Sequence, residues 1–370
     1  MLEESLECPT GHFSLQRPGA NDKQSLRAWD AADEYLISHI TETIPDAPLA
    51  VFNDQFGALG CALNKNIQSW VSDSYCATKA LKLNLQNNHC ANKIQTLNAL
   101  STPDNFINQG LAAVIKLPKN LSFFEHQLQL CFKIGIRHVL IAGMMKHLPR
   151  NILTLLQQYG EVTRLPFKKK ATIYQLELSR TKESPYPKLN EFEGITLSSE
   201  ANVFGRDKLD PGAQFLLEHI KQLPEASHVA DLCCGSGILG LKYTEKFSPT
   251  DMHFYDESHM AVHSCENSWS LNQKATQTKG QFIWNDGIPS ENTTKYDLVL
   301  CNPPFHELHT VGDHIAKRLF KDAKQNLQKG GQLIVVGNRH LGYHQTLKAY
   351  FKHVKLIANN KKFVLISAHD

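Results

Sequence analysis

The sequence predicts an α/β fold used twice, as two doubly wound, mostly parallel sheets of seven strands. The length of 370 residues suits two domains of ordinary size better than one. In the second half, short apolar runs alternate with helix-length amphipathic runs, which is typical of strands joined by crossover helices. The same order of runs occurs about 180 positions earlier in the first half.

Seven apolar runs in the second half are predicted strands, with four amphipathic helices between them. The last two strands are too close in sequence for a crossover helix, so they should form an antiparallel hairpin at the sheet edge. Gly330-Gly331 predicts a helix stop before the fifth strand. The strands are predicted at 228–234, 252–256, 281–286, 296–302, 332–338, 354–359 and 362–368, and the helices at 238–247, 259–272, 313–328 and 343–353.

The first half repeats this order with few identical residues, which predicts a duplicated domain. A strand at 50–54 leads into Gly57-Ala58-Leu59-Gly60, which aligns with Gly237-Ile238-Leu239-Gly240. The runs at 111–115, 137–143 and 164–178 correspond to the fourth strand, the fifth strand and the terminal hairpin.

The boundary between the two halves is predicted at residues 181–200, which are polar and contain two prolines. We therefore predict domains at 1–180 and 201–370, joined by a linker.

The net charge of +3 averages two unlike regions. Residues 111–190 carry 13 basic and 4 acidic side chains, whereas residues 191–370 carry 19 basic and 20 acidic ones. Lysine and arginine that neutralise phosphates are the main sequence-independent source of nucleic-acid affinity. A solvated surface gives the same pattern, so the charge favours a polyanionic partner for the first half without deciding it.

Several classes of protein are disfavoured. No apolar run approaches the ~20 residues that span a bilayer, and the acidic start does not resemble a secretory signal. The nine cysteines contain no C-x-x-C pair and no zinc-like spacing. We expect a cytoplasmic protein with reduced cysteines, no bound metal, no membrane segment and a monomeric state.

A glycine-rich turn follows the first strand of the second half. Asp231 ends the apolar run, Gly235 and Gly237 follow it, and Asp256 ends the next predicted strand. Glycines let a ligand approach the backbone at a helix N-terminus, and an acid about 20 residues further on suits a ribose diol. The spacing to Gly240 also fits a dinucleotide, but nothing downstream looks like a hydride-transfer site.

A second motif, Asn302-Pro303-Pro304-Phe305, follows the fourth strand, where two prolines make a rigid loop. An exocyclic amine conjugated to a ring is a weak nucleophile, because its lone pair is delocalised. The Asn302 side-chain oxygen and the Pro303 carbonyl could accept hydrogen bonds from such an amine and stabilise its growing positive charge. Phe305 could stack on the ring. We predict catalytic roles for Asn302, Pro303 and Phe305.

Both motifs resemble those of known methyltransferases. The turn D-L-x-C-G-x-G resembles motif I of the class I S-adenosylmethionine-dependent enzymes, and N-P-P-F resembles the motif of those that methylate planar nitrogen. The resemblance implies two class I folds with a degenerate first copy, and S-adenosyl-L-methionine as cofactor. Asp231 would orient its methionine part, Asp256 its ribose and Asp286 its adenine. The residues implied in cofactor binding are Asp231, Cys233, Gly235, Gly237, Asp256, Asp286 and Asn302.

A narrower resemblance implies a substrate class. Residues 203–212, with Arg206, and His306 resemble the ribosomal RNA guanine-N2 methyltransferases. Residues 13–17 and 26–36 resemble the branch of that family that modifies the large subunit. This implies methylation of a guanine N2 in 23S rRNA. The alternatives are a guanine in 16S rRNA, a glutamine amide of a translation protein, or a catalytically silent RNA-binding protein.

The first half lacks the catalytic residue types. Val51 stands in place of the first-strand acid, Gln55 in place of Gly235, and Lys116-Leu117-Pro118-Lys119 in place of the second motif. We therefore expect no cofactor there and an RNA-binding adaptor role, with single-stranded or loosened RNA as substrate. The predicted RNA contacts are Arg206, Lys116, Lys119, Arg164, Lys168, Lys169 and Lys170.

Overall fold

The computed structural model describes residues 5–18, 27–106, 110–272, 277–304 and 312–370. The chain divides into two units, Met1–Pro185 and Tyr186–Asp370, each with its own seven-stranded sheet. The predicted α/β duplication is therefore confirmed.

The first unit begins with a two-stranded hairpin and continues with strands and helices in alternation. Its elements are β1 (Ser5–Cys8), β2 (Gly11–Ser14), α1 (Ala31–Thr43), β3 (Leu49–Phe52), α2 (Ala58–Ala62), β4 (Ile67–Ser72), α3 (Tyr75–Asn87), β5 (Gln95–Asn98), β6 (Ala112–Lys116), α4 (Leu121–Ile134), β7 (His138–Met144), α5 (Ile152–Leu156), β8 (Gly160–Arg164) and β9 (Ala171–Leu178).

The second unit has the same plan. Its elements are β10 (Lys188–Phe192), β11 (Ile195–Ser199), α6 (Pro211–Glu218), β12 (His228–Leu232), α7 (Ile238–Phe247), β13 (Asp251–Asp256), α8 (His259–Asn272), β14 (Lys279–Trp284), β15 (Tyr296–Cys301), α9 (Gly312–Asn326), β16 (Leu327–Asn338), α10 (Tyr343–Lys348), β17 (His353–Asn359) and β18 (Phe363–His369).

The two sheets have one topology. The order is β5-β4-β3-β6-β7-β9-β8 in the first and β14-β13-β12-β15-β16-β18-β17 in the second, with only the last two strands antiparallel to their neighbours. Buried apolar side chains cover both faces of each sheet. Because ligands bind at the carboxyl ends of parallel strands in such folds, these ends are where a site is expected.

Strand register gives a structural alignment of the two units. Val51 pairs with Val114 in the first sheet, and Asp231 pairs with Leu300 in the second. Two residues beyond these partners, Lys116 ends β6 and Asn302 follows β15. Lys116 therefore lies at the position that Asn302 occupies in the second unit, as the sequence alignment predicts.

One predicted replacement needs correction. Asp231 Oδ2 accepts a hydrogen bond from the Gly240 N–H at 3.0 Å. In the first unit, Asp54 Oδ2 accepts the corresponding bond from the Gly60 N–H at 2.8 Å. The acid that Val51 lacks is thus supplied three residues later, from the loop after the strand. Alignment by sequence position missed it, because a carboxylate can reach the same backbone donor from a different Cα.

Two boundaries differ from the predictions. Much of the predicted linker, Lys188–Ser199, is the hairpin β10–β11, which belongs to the second unit and hydrogen-bonds to α8 through Ser198 and Ser268. The fifth strand begins at Leu327, so Gly330-Gly331 lies inside β16 rather than at the end of a helix. In the part of the chain that is described, no helix is long and apolar enough to span a bilayer.

Candidate active site

A cavity of about 440 Å³ opens at the carboxyl edge of the second sheet, within the range of about 300–1,000 Å³ that is usual for small-molecule sites. Both predicted motifs line it. The lining residues used below are Asp210, Ala213, Cys233, Gly235, Asp256, Asn302, Pro303 and Pro304.

The glycine-rich turn gives its two glycines different roles. Gly235 lines the cavity with φ +55°, and a Cβ added there would meet no atom within 4 Å. Its side is therefore open for a ligand. Gly237 has φ +86°, and an added Cβ would lie 2.5 Å from the sulfur of Cys265. The protein's own packing and the left-handed backbone therefore require glycine at 237, which is a different reason from the predicted ligand clearance.

Asp256 is held at the edge of the cavity by the turn. Its Oδ2 accepts from the Gly235 N–H at 3.0 Å and its Oδ1 accepts from the Ser258 N–H at 2.9 Å. Each carboxylate oxygen can accept more than one hydrogen bond. Asp256 is thus oriented by the backbone and lines the cavity where the ribose contact is predicted.

Asp231 is fully buried beneath the turn. Its Oδ1 has no hydrogen-bond partner among the described residues. Burial raises the pKa of Asp231 to about 7; the N–H of Gly240 opposes this shift and the charge of Asp256 adds to it. Asp231 lies behind the residues that line the cavity, and a cationic ligand group bound there would favour its ionised form.

Asn302 presents an acceptor at the cavity. Its Nδ2 donates to Asp210 Oδ2 at 2.9 Å, while its buried Oδ1 has no partner in the described parts of the chain. Pro303 and Pro304 line the cavity beside it. Phe305 and His306 lie outside the described residues. An oriented amide oxygen next to a glycine-rich turn matches the predicted acceptor for an amine.

The predicted adenine contact is not supported by the geometry. Asp286 follows β14 but does not line the cavity. Its carboxylate pairs with the Arg318 guanidinium from α9, with Nη2 2.5 Å from Oδ1, and its carbonyl accepts from the same group. Arg318 thus engages both carboxylate oxygens, and Asp286 stays a predicted adenine contact that is not among the residues lining the cavity.

Arg206 and Lys116, predicted as RNA contacts, each contact side chains of their own unit. Arg206 Nε donates to the Tyr186 hydroxyl at 3.2 Å, and its guanidinium lies over the Tyr186 ring. Lys116 Nζ is 2.7 Å from both Asp30 Oδ1 and Asp33 Oδ1, and its side chain is only 15% exposed. A lysine paired with two carboxylates offers no charge to a phosphate, so Lys116 is corrected to a structural residue.

The remaining predicted cations are exposed. Lys119 lies on the surface after β6, and Lys168, Lys169 and Lys170 form the turn between β8 and β9. Arg164 lies over the Phe167 ring in the same hairpin. Lys169 Nζ is 2.6 Å from Glu34 Oε2, but its side chain is 75% exposed, and such surface pairs contribute little. We name the turn 168–170 the first-unit lysine turn.

Sequence reasoning missed several cavity residues. Asn190, Glu191 and Phe192 reach the cavity from the hairpin that was predicted to be a linker. Asp210 belongs to the run 203–212, for which the sequence predicts no role at this position. Its signal was the sequence Asp210-Pro211-Gly212, an acid before an N-terminal proline, which marks the start of α6. No group of three or more potential metal-ligating side chains occurs in the described residues.

Comparison with known proteins decides the family. Residues 3–180 match the model of the RLMG N-terminal domain, and residues 194–367 match that of the methyltransferase small domain. The ribosomal RNA large subunit methyltransferase G of Pseudoalteromonas translucida is 37% identical over 96% of this chain and 95% of its own. That of Shewanella oneidensis is also 37% identical, over 96% and 97%. The chain belongs to the ribosomal RNA large subunit methyltransferase G family.

A solved structure supports the fold of this chain. A T. thermophilus 16S rRNA N2 methyltransferase, in complex with AdoMet and guanosine, superposes with a TM-score of 0.75 at 18% identity, covering 99% of this chain and 97% of the other. The two-sheet architecture is therefore shared over the whole length. The predicted resemblance to the large-subunit branch of the family is confirmed.

Proposed function

We propose that this chain transfers a methyl group from S-adenosyl-L-methionine to the exocyclic N2 of a guanine in 23S rRNA, as a cytoplasmic monomer. The observation that carries the proposal is the Asn302 amide: its buried Oδ1 has no partner among the described residues, and Asn302 lines the same cavity as the glycine-rich turn. The names of the relatives support large-subunit ribosomal RNA as the substrate class.

The chain's own residues account for activation of the amine. The cofactor supplies an electrophilic methyl group on a positively charged sulfur. Asn302 Oδ1 and the Pro303 carbonyl accept hydrogen bonds from the two N–H groups of the amine, which keeps its lone pair available and stabilises the charge that develops on nitrogen. When the cofactor is bound, the amine nitrogen would receive its methyl group while Asn302 and Pro303 hold the amine, and the extra proton would leave the nitrogen for water.

Asp231 gives cofactor affinity a predictable pH dependence. Because burial raises the pKa of this carboxyl to about 7, a cationic cofactor would favour its ionised form. We expect the Kd for S-adenosyl-L-methionine to be about tenfold higher at pH 6 than at pH 8, as measured by calorimetry. Asp231→Asn should bind more weakly at pH 8 and should lose this pH dependence. An equally steep profile in the variant would assign the titration to another group.

The first unit is proposed to bind RNA through the first-unit lysine turn. Replacing Lys168, Lys169 and Lys170 with glutamine should weaken binding to transcribed 23S rRNA about tenfold. The slope of the logarithm of the binding constant against the logarithm of the salt concentration should become shallower by roughly two, since each lost phosphate contact removes about 0.7–0.9 from that slope. The matched control replaces Lys65, Lys79 and Lys82, three exposed lysines of the same unit. Equal effects of the two triple variants would show that the turn contributes only to the overall surface charge and is not a specific RNA contact.

The decisive test of the reaction is transfer of a labelled methyl group, followed by nucleoside analysis. Full-length protein is incubated with deproteinised, unmodified 23S rRNA, with 16S rRNA and with translation proteins. N2-methylguanosine in 23S rRNA is expected. The same product in 16S rRNA would favour the small-subunit alternative, labelled glutamine in a protein would favour amide methylation, and no transfer at all would favour a silent RNA-binding protein.

A further inference from the structure

The turn of the terminal hairpin carries lysines and lies at the carboxyl ends of the parallel strands of the second sheet, as the cavity does. Phe363 at the start of β18 pairs with Asn338 at the end of β16, so the turn between β17 and β18 lies at the carboxyl end of β16. Arg339 follows β16, and its N–H donates to the Lys362 carbonyl at 2.8 Å. Arg339, Lys361 and Lys362 are exposed there. We name these three residues the edge cations.

The first unit has the same arrangement. The Met145 N–H, after β7, donates to the carbonyl of Lys170 at 2.8 Å. Lys170 is the last residue of the first-unit lysine turn. Both copies of the duplicated hairpin therefore carry cations at the same edge. The edge cations differ in one respect: in the described parts of the chain they have no ion pair, whereas Lys169 is paired with Glu34.

Charge is distributed very unevenly within the catalytic unit. Residues 323–369 contain eight Lys and Arg and no Asp or Glu, whereas residues 191–322 contain 11 basic and 19 acidic side chains. The near-neutral sum for the second half conceals this. Exposed, unpaired cations in a segment without acids attract a polyanion and hold it by counterion release.

We propose that Arg339, Lys361 and Lys362 bind backbone phosphates of the substrate RNA near the target nucleotide. They lie beyond the end of β16, which is the neighbour of β15, the strand that leads to Asn302. The catalytic unit thus contributes its own phosphate contacts. This inference rests on the proposed RNA substrate and assigns a surface to it.

The test compares two triple variants of the full chain with equal charge loss. One is Arg339→Gln/Lys361→Gln/Lys362→Gln. The control is Lys348→Gln/Lys352→Gln/Lys355→Gln, whose exposed lysines belong to the same acid-free segment but lie toward the opposite edge of the sheet. Binding to transcribed 23S rRNA is measured across a salt series, together with Kd for S-adenosyl-L-methionine and the kinetics of methyl transfer.

The edge variant should bind RNA about tenfold more weakly and reduce the salt slope by roughly two. Its KM for RNA should rise, with cofactor affinity and kcat at saturating RNA unchanged, and the control should stay within twofold of the wild type. Equal losses in both variants, or an unchanged slope in the edge variant, would overturn the surface while leaving the reaction standing. Failure of the wild type to methylate RNA would instead overturn the proposed function.

A different observation points to a positioning residue. A carboxylate accepts but does not donate hydrogen bonds, so Asp210 Oδ2 selects the Nδ2 side of the Asn302 amide, at 2.9 Å. The Oδ1 side then points away from Asp210, in a residue that lines the cavity. Asp210 is itself fixed, because the same Oδ2 accepts the N-cap bond of α6 from the Ala213 N–H at 2.8 Å.

We infer that Asp210 sets the hydrogen-bond polarity of Asn302 and thereby restricts the substrate to an N–H donor. The first unit contains the corresponding pair, because its N-cap acid Asp30 binds Lys116 at the position equivalent to Asn302. The contact between the N-cap acid and the end of the fourth strand is thus present in both copies. If the amide of Asn302 turned over, its NH₂ would face the substrate amine, two donors would meet and the hydrogen bond would be lost.

Asp210→Ser tests this role, because serine retains the N-cap of α6 but is too short to hold the Asn302 amide. We expect kcat to fall about 10–100-fold, with the unfolding midpoint and the Kd for S-adenosyl-L-methionine unchanged. The exchange Asp210→Asn/Asn302→Asp restores an amide donor facing a carboxylate and again leaves an acceptor oxygen toward the cavity. It should recover at least tenfold in kcat over Asp210→Asn alone.

Three results would overturn the positioning role. They are a wild-type kcat in Asp210→Ser, a loss of cofactor binding or of folding in that variant, and no recovery in the exchange variant. None of these depends on which RNA is used. If the wild type instead methylates a protein amide, the same variants test the same role on that substrate, so the two proposals can fail separately.

Discussion

Replacing Asn302 by alanine should lower kcat for methyl transfer by about 10²–10³-fold, the effect of removing one preorganised hydrogen-bonding group from a transition state. The amide oxygen is buried and has no hydrogen-bond partner among the described residues, so no hydrogen bond seen in the structure has to break before it accepts from the amine. Its contribution is larger when positive charge grows on nitrogen than in the ground state, and the loss should therefore appear in kcat rather than in KM for RNA.

Single-turnover kinetics with saturating RNA and cofactor measure this effect directly. The Kd for S-adenosyl-L-methionine should change less than threefold, because the glycine-rich turn and Asp256 are untouched. Asn267→Ala, on α8 and outside the cavity lining, is the matched control and should retain wild-type turnover. An Asn302→Ala variant that keeps more than a tenth of wild-type turnover would contradict the assigned role.

The fold could be predicted because its signals are local. Strand and helix periodicities are read within windows of 5–15 residues, and both seven-stranded sheets follow from them. The alignment of the two halves also placed Lys116 correctly opposite Asn302. It failed for Asp54, which reaches the glycine N–H of its turn from three residues further along. Sequence position records where a Cα lies and not how far a side chain reaches.

Two contacts at predicted site residues could not be read from the sequence, for one physical reason. Asp286 and Arg318 are 32 residues apart, and Lys116 and Asp30 are 86 residues apart, so both pairs form only when the sheet brings distant segments together. A local charge count cannot distinguish a paired lysine from a free one. The same limit concealed the edge cations, because averaging over the second half cancelled them against distant acids.

Lys116→Met should destabilise the first unit by about 3–5 kcal/mol, the usual cost of removing one partner from a buried ion pair. The lysine is the cation between Asp30 and Asp33, and Asp33 is 6% exposed. Burial already raises the pKa of Asp33 to about 6, although the charge of Lys116 opposes that shift. Without the lysine, this pKa should rise further.

The pH dependence gives the sign of the effect. A carboxyl whose pKa is raised in the folded state stabilises the protein below its unfolded pKa, and this contribution is lost as the pH rises through the folded pKa. For Asp33 the loss falls between about pH 4 and pH 6 in the wild type, and it should extend to higher pH in Lys116→Met. The difference in unfolding free energy should therefore be larger at pH 8 than at pH 5.

The double variant Asp33→Ala/Lys116→Asn is the matched control, because it recreates in the first unit the Ala213 and Asn302 of the second. Asp30 can then accept from the new amide as Asp210 does, and the buried carboxylate of Asp33, which Lys116 paired, is gone, so more than half of the lost stability should return. Urea unfolding of the full chain measures the loss, and hydrogen exchange in Leu49–Phe52 locates it in the first unit. A change below 1 kcal/mol at pH 8 would mean that solvent, rather than Lys116, compensates the two acids, and Lys116 would again be a candidate for RNA contact.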